Sequence, residues 1–562
     1  MMVDTWLGDP ETPLLGFLHL PDGGVARSGV VICPPFGFDQ VQAYRAMRFV
    51  GQELAGRGIA ALRFDYLGEG DSSGSTAASD AAEGWMASIR HAIQYLRDSG
   101  VQQVALLGLG SGSLVAAEAA ATEDVASLVL WDPELSGRRF IRKQRSLYEL
   151  AVGGTQDQAD DSNALVAFSL HSTAMEWLKV RETTVASLTA LGIETLVLGR
   201  SAYAANPALG RLAAAEVDSI HFRSIDGQEG LLEVPGELAV LPVDDIGALV
   251  DWLDQRAPAV ASALTPVITP EAVVGTAPDG GDIVERLHRV GEHDLFAIET
   301  TSAAADDNLV VLQPGASEHR VGPSRFQVLA ARELAGRGRR AVRFDRRITG
   351  DTTEVVPGEP TLMFAQEWVD DTHALLARFA PTGLAMVGLC AGGWVGARVA
   401  EQHPALLTVL MSPNYYKTTP LKPGHYSVLA AEAGKESRLR ALKGAVKKHI
   451  PGWLWRVMSR LQLFHDPAVL LAAPSRPGST VAVLLTPADA VNFAVRRGPE
   501  AVDRLTRRGA DVRIINYSVG DHSLYGEQIR HEMMDDLLAL VEETMPRAGS
   551  GAAATMTSAT LA

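Results

Sequence analysis

Apolar and polar positions along the chain fall into two alternating rhythms. Short unbroken apolar runs, such as Val30 to Cys33, Leu309 to Leu312 and Val481 to Leu485, have the length of strands buried on both faces. Between them lie longer stretches that read as helices, each approached through a loop containing Pro or Gly. The order predicted is an apolar strand, a Pro/Gly loop, a helix ending in Gly-Arg-Gly, a strand running into Arg-Phe-Asp, a further helix and a further strand. Strands alternating with helices predict an α/β fold with a mostly parallel sheet covered on both faces.

This order occurs twice, 280 residues apart. Glu53-Leu-Ala-Gly-Arg-Gly58 returns letter for letter as Glu333-Leu-Ala-Gly-Arg-Gly338, and Ala61-Leu-Arg-Phe-Asp65 returns as Ala341-Val-Arg-Phe-Asp345. Gly70-Asp71 matches Gly350-Asp351, Pro34 matches Pro314, and Gly108-Leu109-Gly110 matches Gly388-Leu389-Cys390. The expected organisation is therefore two tandem copies, 1–256 and 270–546, joined by an Ala/Pro-rich linker at 257–269. Each copy is expected to open with an antiparallel hairpin, formed by Leu14 to Leu20 in the first and by Glu285 to Thr300 in the second. The Ala/Gly/Ser/Thr-rich end, 547–562, is expected to be disordered.

The richest stretch chemically is Leu384 to Gly396, a strand, a glycine-pinched turn and a helix start with Cys390 at the apex. Gly388, Cys390 and Gly392 fit the elbow pattern G-x-S-x-G with cysteine in place of serine. A helix N-terminus aimed at such a cysteine favours thiolate over thiol. A buried structural cysteine beside a tight turn is the other reading that the stretch permits.

With the elbow after the third repeated strand, a Pro/Gly loop after the first and Asp65 to Ser72 after the second, the chain resembles the α/β-hydrolase superfamily over nearly its whole length, as two copies. The resemblance implies two α/β-hydrolase folds, each with a helical lid insertion. It also implies a nucleophile, acid and histidine in that chain order, at the ends of strands. In the second copy Cys390, Asp489 after Val481 to Leu485, and His522 after Val512 to Tyr517 stand in that order, with Asp521 a competitor for the acid. By the same resemblance the oxyanion hole would use the backbone N–H of Ala391 and one from Gly315 or Ala316. The first copy has Gly110 at the nucleophile position, Gly-Arg-Ser-Ala after Thr195 to Leu198, and no histidine in Ser224 to Gln228. It reads as a pseudo-enzyme domain, with Cys33 in its core.

Composition narrows the partners. A net charge of -17 excludes nucleic acid as a general partner. Two cysteines are too few for a disulfide framework or a Cys-rich metal site. The acidic first residues show no signal peptide, and no apolar stretch is a clean membrane span, so the cytoplasm is the expected compartment. No metal or cofactor motif is visible.

Within the expected lid, about 412–478, ten Lys or Arg fall between Lys417 and Arg460 against Glu432 and Glu436 only. Arg138, Arg139, Arg142, Lys143 and Arg145 cluster at the corresponding place in the first copy. Either these are solvated helix faces or they attract an anionic acyl donor, an acyl carrier protein or a coenzyme A ester, with Lys447 and Lys448 among the contacts. Trp453 and Trp455 either line an acyl channel or fasten the lid. The function expected is acyl-group hydrolysis, thioesterase- or esterase-like, through Cys390, His522 and Asp489. The alternatives are acyl transfer to an amine or hydroxyl acceptor in a biosynthetic pathway, and a non-catalytic binding scaffold.

Overall fold

The computed structural model describes residues 1–152, 163–201, 206–316, 318–425, 452–461 and 463–545. Two α/β units follow one another, each built on a twisted mixed sheet. In the first unit the strands are β1 (Met2–Leu7), β2 (Leu14–His19), β3 (Ser28–Cys33), β4 (Ile59–Phe64), β5 (Val104–Leu109), β6 (Ser127–Trp131), β7 (Glu194–Arg200) and β8 (Ile220–Ile225). Their order across the sheet is β1-β2-β4-β3-β5-β6-β7-β8. β1, β2 and β4 pair antiparallel and all later neighbours pair parallel.

The second sheet has nine strands: β9 (Glu271–Thr276), β10 (Asp282–Val290), β11 (Leu295–Ser302), β12 (Leu309–Gln313), β13 (Arg340–Phe344), β14 (Leu384–Leu389), β15 (Leu407–Met411), β16 (Thr480–Leu485) and β17 (Asp511–Asn516). Its order, β9-β10-β11-β13-β12-β14-β15-β16-β17, repeats the first with one antiparallel strand added at the edge. This is the strand order of the α/β-hydrolase fold in both units.

The central strands follow from their composition. Every residue of β5, β14 and β16 is buried, as expected of strands covered by helices on both faces. Successive side chains enter opposite layers: Val31 and Cys33 pack in one core and Val30 and Ile32 in the other, and in the second unit Leu309 and Val311 separate from Val310 and Leu312 in the same way.

The hairpins are larger than the local pattern predicts. Leu14–His19 forms only one arm, and its partner is the partly buried Met2–Leu7, while the second unit carries three antiparallel strands before the parallel set. The segment between the units is held to the first: Ser262–Ala263 pairs with Val25–Ala26, and the Thr269 N–H donates to Thr5 Oγ1 at 2.9 Å.

These antiparallel strands build the junction. Leu15 and Phe17 from the first unit share a core with Val274, Ile283, Phe296 and Ile298 from the second, with the Phe17 and Phe296 rings edge to face at 5.2 Å. Beside it lies a fully buried charge cluster related by the same offset of 280. Arg63 pairs with Asp351 and Arg343 pairs with Asp71, each crossing to the other unit. Arg320, 0% exposed, donates to Asp345 at 2.5 Å and to Asp351 at 2.9 Å and forms an ion pair with Asp71 at 2.7 Å.

The loops that present these aspartates explain the repeated Gly-Asp. Asp65 and Asp345 fold back to accept the N–H of Asp71 and Asp351 at 2.9 and 2.8 Å. A Cβ on Gly70 or Gly350, both at positive φ, would collide with those carboxylates at 2.2 and 2.1 Å.

Candidate active site

Cys390 sits at the apex between β14 and the helix Ala391–Val399, half-buried, with φ 51° and ψ -111°. That conformation is strained for a residue with a Cβ, and the surroundings hold it. The Cys390 N–H donates to Met411 O at 2.8 Å. A Cβ on Gly388 would lie 2.2 Å from the carbonyl carbon of Gly392, and one on Gly392 would lie 2.6 Å from the carbonyl oxygens of Gln313 and Pro314. Strand, turn and helix therefore pack backbone on backbone, and the loop after β12 is pressed against the elbow.

Asp489 and His522 come together beside it. His522 Nδ1 lies 3.0 and 3.1 Å from the two carboxylate oxygens of Asp489. Asp489 is 4% exposed, and Thr486 Oγ1 donates to its Oδ2 at 2.6 Å. Burial pushes the Asp489 carboxyl up, but its bonds to His522 and Thr486 and the charge of His522 outweigh this and hold it below the usual carboxylate range. For His522 burial alone would lower the imidazole. Its hydrogen bonds to Asp489, the negative charge of that carboxylate and the nearness of the Cys390 side chain instead raise it to about 11. The other acid considered, Asp521, is occupied by its own loop, accepting the N–H groups of Ser523, Tyr525 and Gly526 at 2.9 to 3.1 Å. It shapes the turn that carries His522.

Ala391 is the first residue of its helix, so its N–H has no intrahelical partner. Gly315 and Ala316 lie on the loop after β12, and both carbonyls accept from Arg346 Nη2, Ala316 at 2.8 Å. The buried Arg346 stacks on Trp368 at 3.5 Å, and burial lowers its guanidinium to about 9. With its carbonyls tied to Arg346, the loop is held in one orientation, and Ala316 reaches the cavity that Cys390 and His522 line.

That cavity, about 460 Å³, is walled by both units. The second unit contributes Ala316, Glu318, His319 and Trp368 besides Cys390 and His522; the first contributes Phe38 and Tyr44 from its first long helix and the stretch from Leu231 to Leu241. No local motif marks these first-unit residues. Trp455 is buried against Phe464, with Arg497 over its ring at 5.3 Å, and is not among the residues lining the cavity. Trp453 lies in the first turn of the helix Gly452–Arg460, and Lys447 and Lys448 lie outside the described residues.

The first unit keeps the frame of this site with different groups in it. Gly110 has φ 56° and its N–H donates to Trp131 O, as Cys390 does to Met411 O. Asp132 stands where Ser412 stands in the second unit, and each donates its N–H to the neighbouring strand, at Leu198 O and Leu484 O. Arg200 occupies the end of β7 and binds Asp132 with two bonds of 2.8 and 2.6 Å. An ion pair thus stands at the strand ends that carry Ser412 and Thr486 in the second unit.

Among the described residues no group of three or more His, Cys, Asp or Glu could hold a metal ion, and no helix is long and apolar enough to cross a membrane.

No protein-family model matches the chain, and no curated protein matches it. Solved structures do. A serine hydrolase of the α/β type without a lid from Xanthomonas campestris is 17% identical, aligned over 46% of this chain and 96% of its own, with a TM-score of 0.30. An esterase from Pyrococcus furiosus is 13% identical over 49% of this chain and 97% of its own, with a TM-score of 0.31. A hydrolase described as putative, from Agrobacterium vitis, is 17% identical over 46% of this chain and 98% of its own, with a TM-score of 0.31.

Proposed function

We propose that the chain is a tandem duplicate whose second copy is a cysteine-dependent acyl hydrolase, thioesterase- or esterase-like, and whose first copy is a pseudo-enzyme. The observation that carries this reading is the position of His522, bonded to the buried Asp489 on one side and facing Cys390, at the apex of a strained elbow, on the other. In the cycle, His522 holds the proton it shares with the Cys390 sulfur, and Asp489, bonded to Nδ1, orients the ring. The sulfur attacks the acyl carbon of a thioester or ester, and the N–H groups of Ala391 and of Gly315 or Ala316 receive the charge that builds on oxygen. The leaving group departs with the proton from His522. A water, deprotonated by the same His522, then releases the acid and restores the thiol.

The first copy supplies cavity wall in place of chemistry. Its helix Phe38–Gly56 and the turn around Glu237 line the cavity that Cys390 also lines. Acyl transfer to an amine or hydroxyl is the second reading, because an acyl-cysteine is open to any nucleophile that reaches it. For the donor, the exposed Arg139, Arg142 and Lys143 line a separate cavity of about 420 Å³ on the first unit and suit an anionic carrier such as coenzyme A or an acyl carrier protein.

The test is turnover of a panel of acyl thioesters and esters by wild type and Cys390→Ala. Turnover confined to wild type supports the reading; no turnover across the panel by a protein that still binds these ligands contradicts it and favours a scaffold.

A further inference from the structure

The shared cavity holds polar groups that hydrolysis leaves unused. Glu318 lines it, and its Oε2 is shut off from solvent with no hydrogen-bond partner among the described residues. His319, 3% exposed, lines the same cavity and stacks on Tyr44 of the first unit at 4.2 Å, and neither of its ring nitrogens has a hydrogen-bond partner among the described residues. Glu237 of the first unit lines it too, close enough for its charge to help raise Glu318.

Two of the arginines nearby are engaged elsewhere: Arg45 pairs with Glu359 at 2.8 Å and Arg347 pairs with Asp371 at 2.6 Å. Arg346 gives Nη2 to the loop carbonyls, and its Nε and Nη1, buried outside the cavity lining, have no hydrogen-bond partner among the described residues. Burial, the leading cause, lifts the Glu318 carboxyl to about 7, while Arg346 and His522 pull the other way. It also keeps the His319 ring neutral, with one nitrogen free to accept.

Buried polar atoms without partners each cost roughly 1–3 kcal/mol and are rare. A wall with an unpaired carboxylate oxygen, an unpaired imidazole and a second carboxylate is completed by a ligand that brings N–H donors and positive charge. A thioester donor, neutral at its reacting carbon, brings neither.

We propose that this end of the cavity is the acceptor subsite, and that the acceptor is a primary amine held as its ammonium by Glu318 and His319 of the second unit and Glu237 of the first. This rests on Cys390 being the acylated group. Glu318 takes one proton from the ammonium, and the freed amine attacks the acyl carbon of the thioester. The C–N bond forms and the C–S bond breaks. The second N–H proton passes through His522 to the departing sulfur of Cys390, and Glu318 returns its own proton to solvent.

The test uses the full chain, an N-acetylcysteamine acyl thioester as donor, and butylamine or the neutral butanol as acceptor, with amide, ester and free acid read by mass in one tube. Wild type is expected to give amide in a saturable manner, with little ester. Glu318→Gln is expected to lower the ratio of amide to acid roughly tenfold or more, and Glu237→Gln to lower it in the same direction. The ratio is set after loading, so the fraction of folded enzyme does not enter it. An acyl-cysteine that yields acid alone, or a ratio unmoved in both variants, overturns the amine subsite while leaving Cys390 as nucleophile. Absence of any acyl-cysteine or product overturns the nucleophile itself.

Discussion

Arg63 of the first unit and Asp351 of the second meet at 2.5 Å with both side chains withdrawn from solvent, and Arg343 and Asp71, each 280 residues from its counterpart, cross the junction the other way. Removing one partner of a buried pair leaves an uncompensated charge and costs about 3–5 kcal/mol. Asp351→Asn, which leaves Arg63 without its carboxylate and takes one of three from Arg320, is expected to lose that much and to lower the melting temperature of both units together. A variant within about 1 kcal/mol of wild type in a denaturant titration would show the junction to be unimportant.

The same cluster sets the response to acid. Burial pushes Asp351, Asp71 and Glu285 up, but the surrounding arginines, led by Arg63, Arg320 and Arg332 respectively, outweigh it and hold all three below the ordinary carboxylate range. Their contribution is thus fully present above the unfolded values of about 4 and is lost as pH falls through the lowered folded values. Melting curves taken downward from pH 5 should drop steeply, and Asp351→Asn should flatten that drop.

His522 gives the opposite sign. Its folded value of about 11 exceeds the unfolded value of about 6.5, so its contribution is complete below about 6.5 and is lost as pH rises through 11. Asp489→Asn removes the leading cause that raises it. Imidazole resonances followed by NMR should show His522 protonated past pH 8 in wild type and titrating well below that in the variant. Identical titrations would contradict the assignment of Asp489 as its partner.

Kinetically the same substitution is expected to reduce kcat on the order of 10⁴-fold, because the wrong tautomer is then favoured. Asp521→Asn alters only the turn Asp521 caps and should reduce it far less. Steady-state rates on one thioester separate the two carboxylates.

Much of this was legible along the chain, and the reasons are local. The elbow announces itself because Gly388 and Gly392 are required by backbone contacts a few residues away, and the central strands do so because burial on both faces leaves unbroken apolar runs. What escaped notice depends on contacts hundreds of residues apart. Met2–Leu7 is only partly buried and lacks a clear period, so its pairing with Leu14–His19 is fixed by the sheet. Tyr44, Glu237 and His319 carry no motif; they become neighbours only because the two units dock. Arg346 follows the repeated Phe-Asp, where the first unit has Tyr66, and that mismatch was the one available sign of its bonds to the loop after β12.

The first unit offers a test of what a site needs beyond its frame. A Cβ at Gly110 meets nothing closer than Pro35 at 3.5 Å, so Gly110→Cys should fold at a cost of about 1–3 kcal/mol for its positive φ. With the Asp132–Arg200 pair at the strand ends that carry Ser412 and Thr486 in the second unit, the new thiol should form no acyl adduct in a Cys390→Ala background. An adduct there would show that the elbow alone suffices.

The most direct measurement is peptide-mapped mass spectrometry of wild type, Cys390→Ala and His522→Ala after rapid quenching with an acyl thioester. The account predicts an acyl increment on the peptide containing Cys390 in wild type, much slower loading in His522→Ala, and none in Cys390→Ala. Turnover of the same thioester by Cys390→Ala at the wild-type rate would contradict it.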